Sequence, residues 1–393
     1  MTSLVQFVWS EDLANYNFGP QHPMAPIRLE LTVRLARELG LFNGSGVDVV
    51  RPELPSDDLL ALVHTREYIA AVQQAADTGE SNLEFGLGTD DVPVFRDMHT
   101  ASARIVSGTV RAAEAIWRGD ILHGVNIGGG LHHAMPDSAS GFCVYNDASV
   151  AIARLLELGA KRVAYVDLDA HHGDGVEKAF WNDPRVITVS VHESPLSLFP
   201  GTGHPVDLGG PDAEGTAVNV AVPGGIRDGK WLRAIHSVVD PVLRVFEPEI
   251  IISQHGVDGH WEDPLTHLAL SVDGMREAMS AMHRLSHDLS GGRWLALGGG
   301  GYEIVDVVPR AWSHLLGVAA HQPVGLSVPI PDGWRGYVSQ RLGRHAKAAM
   351  GDDADVWWKS WEVGYDPADE VDRAVMATRK AVFPLHGLDP YFD

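Results

Sequence analysis

Four short segments hold the residues best suited to chemistry: 128-GGGLHHA, 165-YVDLDAHHGDG, 253-SQHGVDGHWEDP and 297-LGGGGY. In the second, Asp167, Asp169 and His171 alternate along the end of an extended run, so their side chains share a face. Three polar groups there are costly to bury unless they bind something. A carboxylate and an imidazole two residues apart can chelate a divalent cation, and Asp258 can supply a third ligand. An Asp–His–Asp set with positions left for water suits a catalytic zinc, although zinc more often takes several His or Cys ligands. The competing reading, that these residues only cap the following helix, weakens once Asp258 and the histidine pair are counted.

That pair, His132 and His133, follows three glycines. Amide hydrolysis needs a base to activate water and an acid to protonate the leaving amine, and histidine does both near neutral pH. Each histidine needs an orienting carboxylate; Asp167 and Asp174 are available. A lone histidine would more simply be a satisfied core or surface residue. Tyr302, after four glycines, can donate a hydrogen bond to a carbonyl oxygen as it gains charge. Alone it would be an aromatic packed over a turn.

These segments need a frame that brings them together, and the sequence alternates strand and helix patterns. The strand candidates 161-KRVAYVDL, 185-RVITVSV, 216-TAVNVAV, 249-EIIIS and 293-RWLALGG are near-continuous apolar runs, as in strands covered on both faces. A weaker candidate is 121-ILHGVNIGGG. Amphipathic helices are predicted from Pro26 to Gly40, over 97–119, over 146–159 with Asn146 or Asp147 as its cap, and over 228–246 and 271–292. Met275, Met279 and Met282 follow helical spacing and read as core. The alternation predicts an α/β fold with a mostly parallel sheet. Ligands bind beyond the carboxyl ends of such strands, so the four segments should gather at one rim. Pro323–Trp334 is rich in Pro and Gly and separates a main domain, 1–325, from a C-terminal extension, 326–393. Helices are predicted there around Val338–Met350 and Ala368–Lys380.

Composition narrows the function classes. With 393 residues, 45% of them hydrophobic, the chain can build a sizeable core. No apolar run reaches the roughly 18 residues of a membrane span, and the start, MTSLVQFVWSED, is not expected to be a signal peptide. One cysteine, Cys143, excludes an internal disulfide and fits a cytoplasmic protein; it reads as a small buried residue, not a nucleophile. Thirty basic against 52 acidic residues give a net charge of −22, which weighs against a nucleic-acid partner.

In this order, GGGLHHA, YVDLDAHHGDGVE, FPGTG, QHGVD and GGGGY resemble the zinc-dependent, class I-like members of the histone deacetylase superfamily, and the bacterial acetoin-utilisation (AcuC-type) deacetylases look closest. The likeness covers about residues 5–325; 22-HPMAPIR resembles an early family motif, with Arg28 near the foot of the pocket. The resemblance implies the arginase/deacetylase fold, a single domain around an eight-stranded sheet. It implies a catalytic Zn2+, or Fe2+, on Asp169, His171 and Asp258. His133 would be general base and then acid, held by Asp174. His132, paired with Asp167, would give electrostatic support, and Tyr302 would polarise the acetyl carbonyl. Phe142 and Phe199 would wall a tunnel for an acyl-lysine stem, lined by Gly141 and Leu265, with Asp90 or Asp91 gripping substrate at the rim. A structural K+ would sit on Asp167, Asp169, His171, Ser190 and the Val191 carbonyl. The implied partner is acetylated lysine in peptides or proteins, among them metabolic enzymes such as an acetyl-CoA synthetase. Leu131 and Leu265 depart from the larger residue and the Met common in the family.

Three rivals are weighed against this reading. Binuclear ureohydrolases of the same fold, arginase or agmatinase, show Asp-Ala-His-x-Asp and Ser-x-Asp-x-Asp, but here Gly173 and Gly256 replace two of those carboxylates. Acetylpolyamine hydrolysis is compatible with every motif. An inert binder of acetyl-lysine is disfavoured by the full set of ligands, histidines and Tyr302.

Overall fold

The computed structural model describes residues 5–43 and 46–393, leaving the first four residues of the N-terminal stretch outside. Among the described residues eight strands form one sheet: β1 (Val5–Val8), β2 (Val47–Val50), β3 (His123–Asn126), β4 (Val163–Asp167), β5 (Val186–Glu193), β6 (Ala217–Val222), β7 (Ile250–Gln254) and β8 (Trp294–Leu297). Their order is β2-β1-β3-β8-β7-β4-β5-β6, and every pairing is parallel. Strands β3, β4, β5, β7 and β8 are buried at every residue. Helices cover both faces, which is why these strands read as apolar runs without alternation.

The expected helices form as Ile27–Glu38, Met98–Arg118, Asp147–Glu157, Asp228–Phe246 and Val272–Ser290. Asn146 is the cap of the third, accepting from Ser149 N at 2.9 Å. Met275, Met279 and Met282 are buried. The helices Arg66–Thr78 and Val308–Ala319 were not legible as periodic runs.

The helix expected around Val338–Met350 instead spans Asp332–Leu342 and ends at Gly343. It therefore starts inside the stretch read as a separator. The reason is Trp334, fully buried and donating from Nε1 to Leu31 O at 2.9 Å. With Ile330, Val338 and Met350 it packs on Leu31 and Leu35. The last helix, Glu370–Val382, lies against β6 and the helix Asp228–Phe246. There Arg233 donates to both carboxylate oxygens of Asp372, at 2.6 and 2.8 Å, and both residues are buried.

Candidate active site

Strands β3, β8, β7 and β4 are consecutive neighbours in the middle of the sheet. Each of the four segments leaves the carboxyl end of one of them, so the chemistry-bearing residues meet at one rim, as Asp169, His171, Asp258, His132, His133 and Tyr302 do.

Three ligand atoms, from Asp169, His171 and Asp258, lie within 4.8 Å of one another. His171 Nδ1 stands 2.8 Å from Asp258 Oδ2 and 3.2 Å from Asp169 Oδ1, and all three residues are buried. The oxygens facing away are taken. Asp169 Oδ2 accepts from Gln254 Nε2 and from Gly300 N, each at 2.8 Å, and Asp258 Oδ1 accepts from Ala170 N at 3.0 Å. Such outer bonds orient ligands toward a cation. Burial opposes charge on His171, but Asp258 and Asp169 outweigh it and raise its pKa well above that of a free imidazole. A pocket this anionic suits a divalent cation on two carboxylates and one imidazole.

Beside it the two histidines lie 4.0 Å apart between ring centroids, their planes tilted by 52°. His132 Nδ1 lies 2.8 Å from Asp167 Oδ2, and His133 Nδ1 lies 2.7 Å from Asp174 Oδ1. Their electrostatics diverge. Burial presses His132 down, but Asp167 and Asp169 outweigh it and carry it up to about 9. Burial and the neighbouring His132 push His133 down to about 4 against the pull of Asp174. At neutral pH one imidazole is charged and the other is a free base.

A cavity of about 210 Å³ opens onto this centre, lined by Gly141, Phe142, Phe199, Leu265, Tyr302 and Asp91, with Leu131 also on its wall. Asp91 Oδ2 accepts from Gly141 N at 2.7 Å. Of the two aspartates offered for the rim, Asp91 lines the cavity, whereas Asp90 is exposed and does not. The Tyr302 ring meets Phe142 edge to face at 5.7 Å, and Tyr302 N donates to Asp263 Oδ2 at 2.8 Å. Arg28 is buried below, donating to Gly299 O and Gly301 O at 2.9 and 3.2 Å. Cys143 also reaches the cavity, but burial holds its thiol well above the ordinary range, so it stays protonated. Of the residues assigned to potassium, Asp167 and Ser190 are register partners on β4 and β5, and Asp169, His171 and Val191 are buried beside them.

Several supporting residues escaped sequence reading. Tyr165 donates to Asp167 Oδ2 at 2.8 Å. Asp147, read only as a possible cap, accepts from Gly130 N and Leu131 N at 3.0 and 2.8 Å and so fixes the turn before the histidines. Tyr16 donates to Phe142 O at 2.6 Å and accepts from Val144 N at 3.1 Å. It thereby holds Phe142 at φ 63°, a strained value for an aromatic residue. Gln254 sits inside the QHGVD motif, where its polarity at the end of an apolar strand was the available signal.

An all-parallel eight-stranded sheet carrying this constellation at its carboxyl rim defines the arginase/deacetylase fold. The histone deacetylase domain matches residues 22–319, and the chain belongs to that family. It is similar to the acetoin utilization protein AcuC of Bacillus subtilis, 43% identical over 315 residues, covering 79% of this chain and 80% of that protein. AcuC of Staphylococcus xylosus is 38% identical over 333 residues, covering 84% and 86%. Among solved structures, an HDAC homolog complexed with SAHA superposes with a TM-score of 0.82 at 26% identity, covering 95% of this chain and 99% of that one. An HDAC homolog from Aquifex aeolicus gives 0.81 at 26% identity with the same coverage. The chain is thus an AcuC-like hydrolase of the histone deacetylase family.

Proposed function

We propose that this chain removes acetyl groups from N-epsilon-acetyl-lysine in peptides or proteins. The observation that carries the reading is the pair of buried His–Asp contacts, 2.8 and 2.7 Å, set beside the Asp169–His171–Asp258 cluster at the base of a narrow cavity. The cluster would hold one Zn2+ or Fe2+, which would supply Lewis acidity to the acetyl carbonyl and to water. His133, a neutral base, takes the proton of the attacking water as its oxygen bonds to the carbonyl carbon. The Tyr302 hydroxyl donates to the carbonyl oxygen as it becomes an oxyanion. Breaking the C–N bond sends the electron pair to nitrogen, and His133 returns its proton to the leaving lysine amine; acetate is the other product. Charged His132, held by Asp167, supports the negative charge. Phe142 and Phe199 flank the acyl-lysine stem, Gly141 and Leu265 line it, and Asp91 accepts from the substrate backbone.

A K+ on Asp167, Asp169, His171, Ser190 and Val191 would brace the ends of β4 and β5. Residues 1–325 form the catalytic unit and 326–393 brace it. The fitting substrates are acetylated metabolic enzymes such as an acetyl-CoA synthetase, in the cytoplasm. The bound SAHA of the similar HDAC homolog supports hydroxamate inhibition here.

Acetylpolyamines are the second reading, because a long amine stem fits the same walls. Turnover of acetyl-lysine peptides and of acetylated polyamines by the metal-loaded chain separates the two. Preference for the peptide is expected; efficient turnover of the polyamine alone would contradict the reading.

A further inference from the structure

A second histidine cluster lies at the opposite end of the sheet. His123 opens β3 and is the register partner of Trp294, which opens β8. It therefore stands at the amino ends of the strands, whereas the site above uses their carboxyl ends. His283 and His287 lie one turn apart on the helix Val272–Ser290, and His321 follows the helix Val308–Ala319. One nitrogen from each of the four rings lies within 4.8 Å of the others. The ring centroids of His283 lie 4.9 Å from His123, 4.7 Å from His287 and 4.7 Å from His321.

The decisive residue is His123. It is fully buried, and its Nδ1–H donates to Ala319 O at 2.7 Å. That bond fixes the tautomer with the lone pair on Nε2. Nε2 has no hydrogen-bond partner among the described residues. An imidazole anchored to a carbonyl through one nitrogen, with the other free, is how metal-ligating histidines are held. Nε2 of His283 and of His287 approach to 3.2 Å, so two more lone pairs can turn to the same point. Burial and the neighbouring imidazoles push His123 to about 3 and His283 to about 4. His123 and His283 are thus neutral near pH 7, the form that binds metal.

The donor set holds four imidazoles and no carboxylate. That chemistry selects borderline transition ions over magnesium or calcium. We infer that His123, His283, His287 and His321 form a second metal site that takes Zn2+ or a similar transition ion, tying the helix Val272–Ser290 to β3 and to the end of the helix Val308–Ala319. The site is structural: it lies away from the catalytic rim, and His287 and His321 are open to solvent for metal entry.

The test uses the full chain, stripped of metal, equilibrated with Zn2+ and desalted, with zinc per chain then measured. His287 and His321 are exposed, and His321 adopts φ 55°, a value asparagine tolerates. The double variant His287→Ala/His321→Asn should therefore fold and hold one equivalent less zinc than the wild type, with acetyl-lysine turnover unchanged. Equal zinc in the two proteins would overturn the assignment. Should the double variant fail to fold, His321→Asn alone decides: zinc binding at this site weakened at least tenfold supports the inference, and unchanged stoichiometry and affinity overturn it.

Discussion

A Cβ placed on Gly173 would stand 2.3 Å from the Asp167 Oδ2 that pairs with His132. At Gly256 the same addition would come within 1.9 Å of Asp169 Oδ2. The two glycines that stand where a ureohydrolase has carboxylates thus leave no room even for a methyl group. On the single-ion reading proposed above, the close approach that builds the His132–Asp167 pair would also exclude ligands for a second ion, whose repulsion from the first would need more carboxylates to offset it. Gly173→Ala should displace Asp167 and cost about 10² in turnover, since misplacing a catalytic group by about 1 Å has that effect. Acetate release from a peptide, compared at equal metal content, checks this; a near-wild-type rate would show that the pair tolerates displacement.

Tyr302→Phe removes only a hydroxyl, and neither His132 nor His133 is proposed as a metal ligand, so all three substitutions should leave metal content intact. Loss of an oxyanion donor costs about 10²–10³ in kcat, and Tyr302→Phe should fall in that range. His133→Ala should be more damaging than His132→Ala. Equal losses for the two histidines, or loss of metal in either, would show that the roles are divided wrongly.

How much of this was legible in the sequence depended on where each partner lies. Asp169 and His171 are two residues apart, and His132 and His133 are adjacent, so their spacing displayed them. Asp147, Tyr16 and Asp263 act through backbone N–H groups and carbonyls far along the chain, and such contacts leave no periodic trace. Asp90 and Asp91 differ by which way one loop residue turns, which only the fold decides. Strands β1 and β2 have four residues each, and β2 is partly exposed at the sheet edge, too short a run to outweigh its surroundings. Trp334 overrode a Pro- and Gly-rich context by burial.

Two buried histidines away from the site make stability depend on pH. His64 donates from Nδ1 to Met135 O and accepts at Nε2 from Asn146 N, at 3.1 and 3.0 Å. Burial lowers it to about 4, and likewise His314 to about 4. In the unfolded chain both take up protons below about 6.5. The unfolded state therefore binds more protons between these values, and stability falls as pH drops from about 6.5 to about 4, by up to about 3 kcal/mol for each group. Urea midpoints measured across that range check it; a flat profile would contradict it.

Asp372→Ala leaves buried Arg233 without its carboxylate. Breaking a buried pair costs about 3–5 kcal/mol, so thermal stability should fall sharply while the fraction still folded keeps its turnover. An unchanged melting midpoint would mean that the last helix does not brace the body through this contact.

Amide hydrolysis and guanidino hydrolysis release different products, acetate and urea. The deciding measurement incubates the metal-loaded chain, in parallel, with an acetyl-lysine peptide, with arginine and with agmatine, and follows both. One acetate per lysine freed is expected, abolished by chelation and restored by Zn2+ or Fe2+, with no urea from either guanidino compound. Urea release with the acetyl-lysine peptide untouched would overturn deacetylation as the reaction of this site.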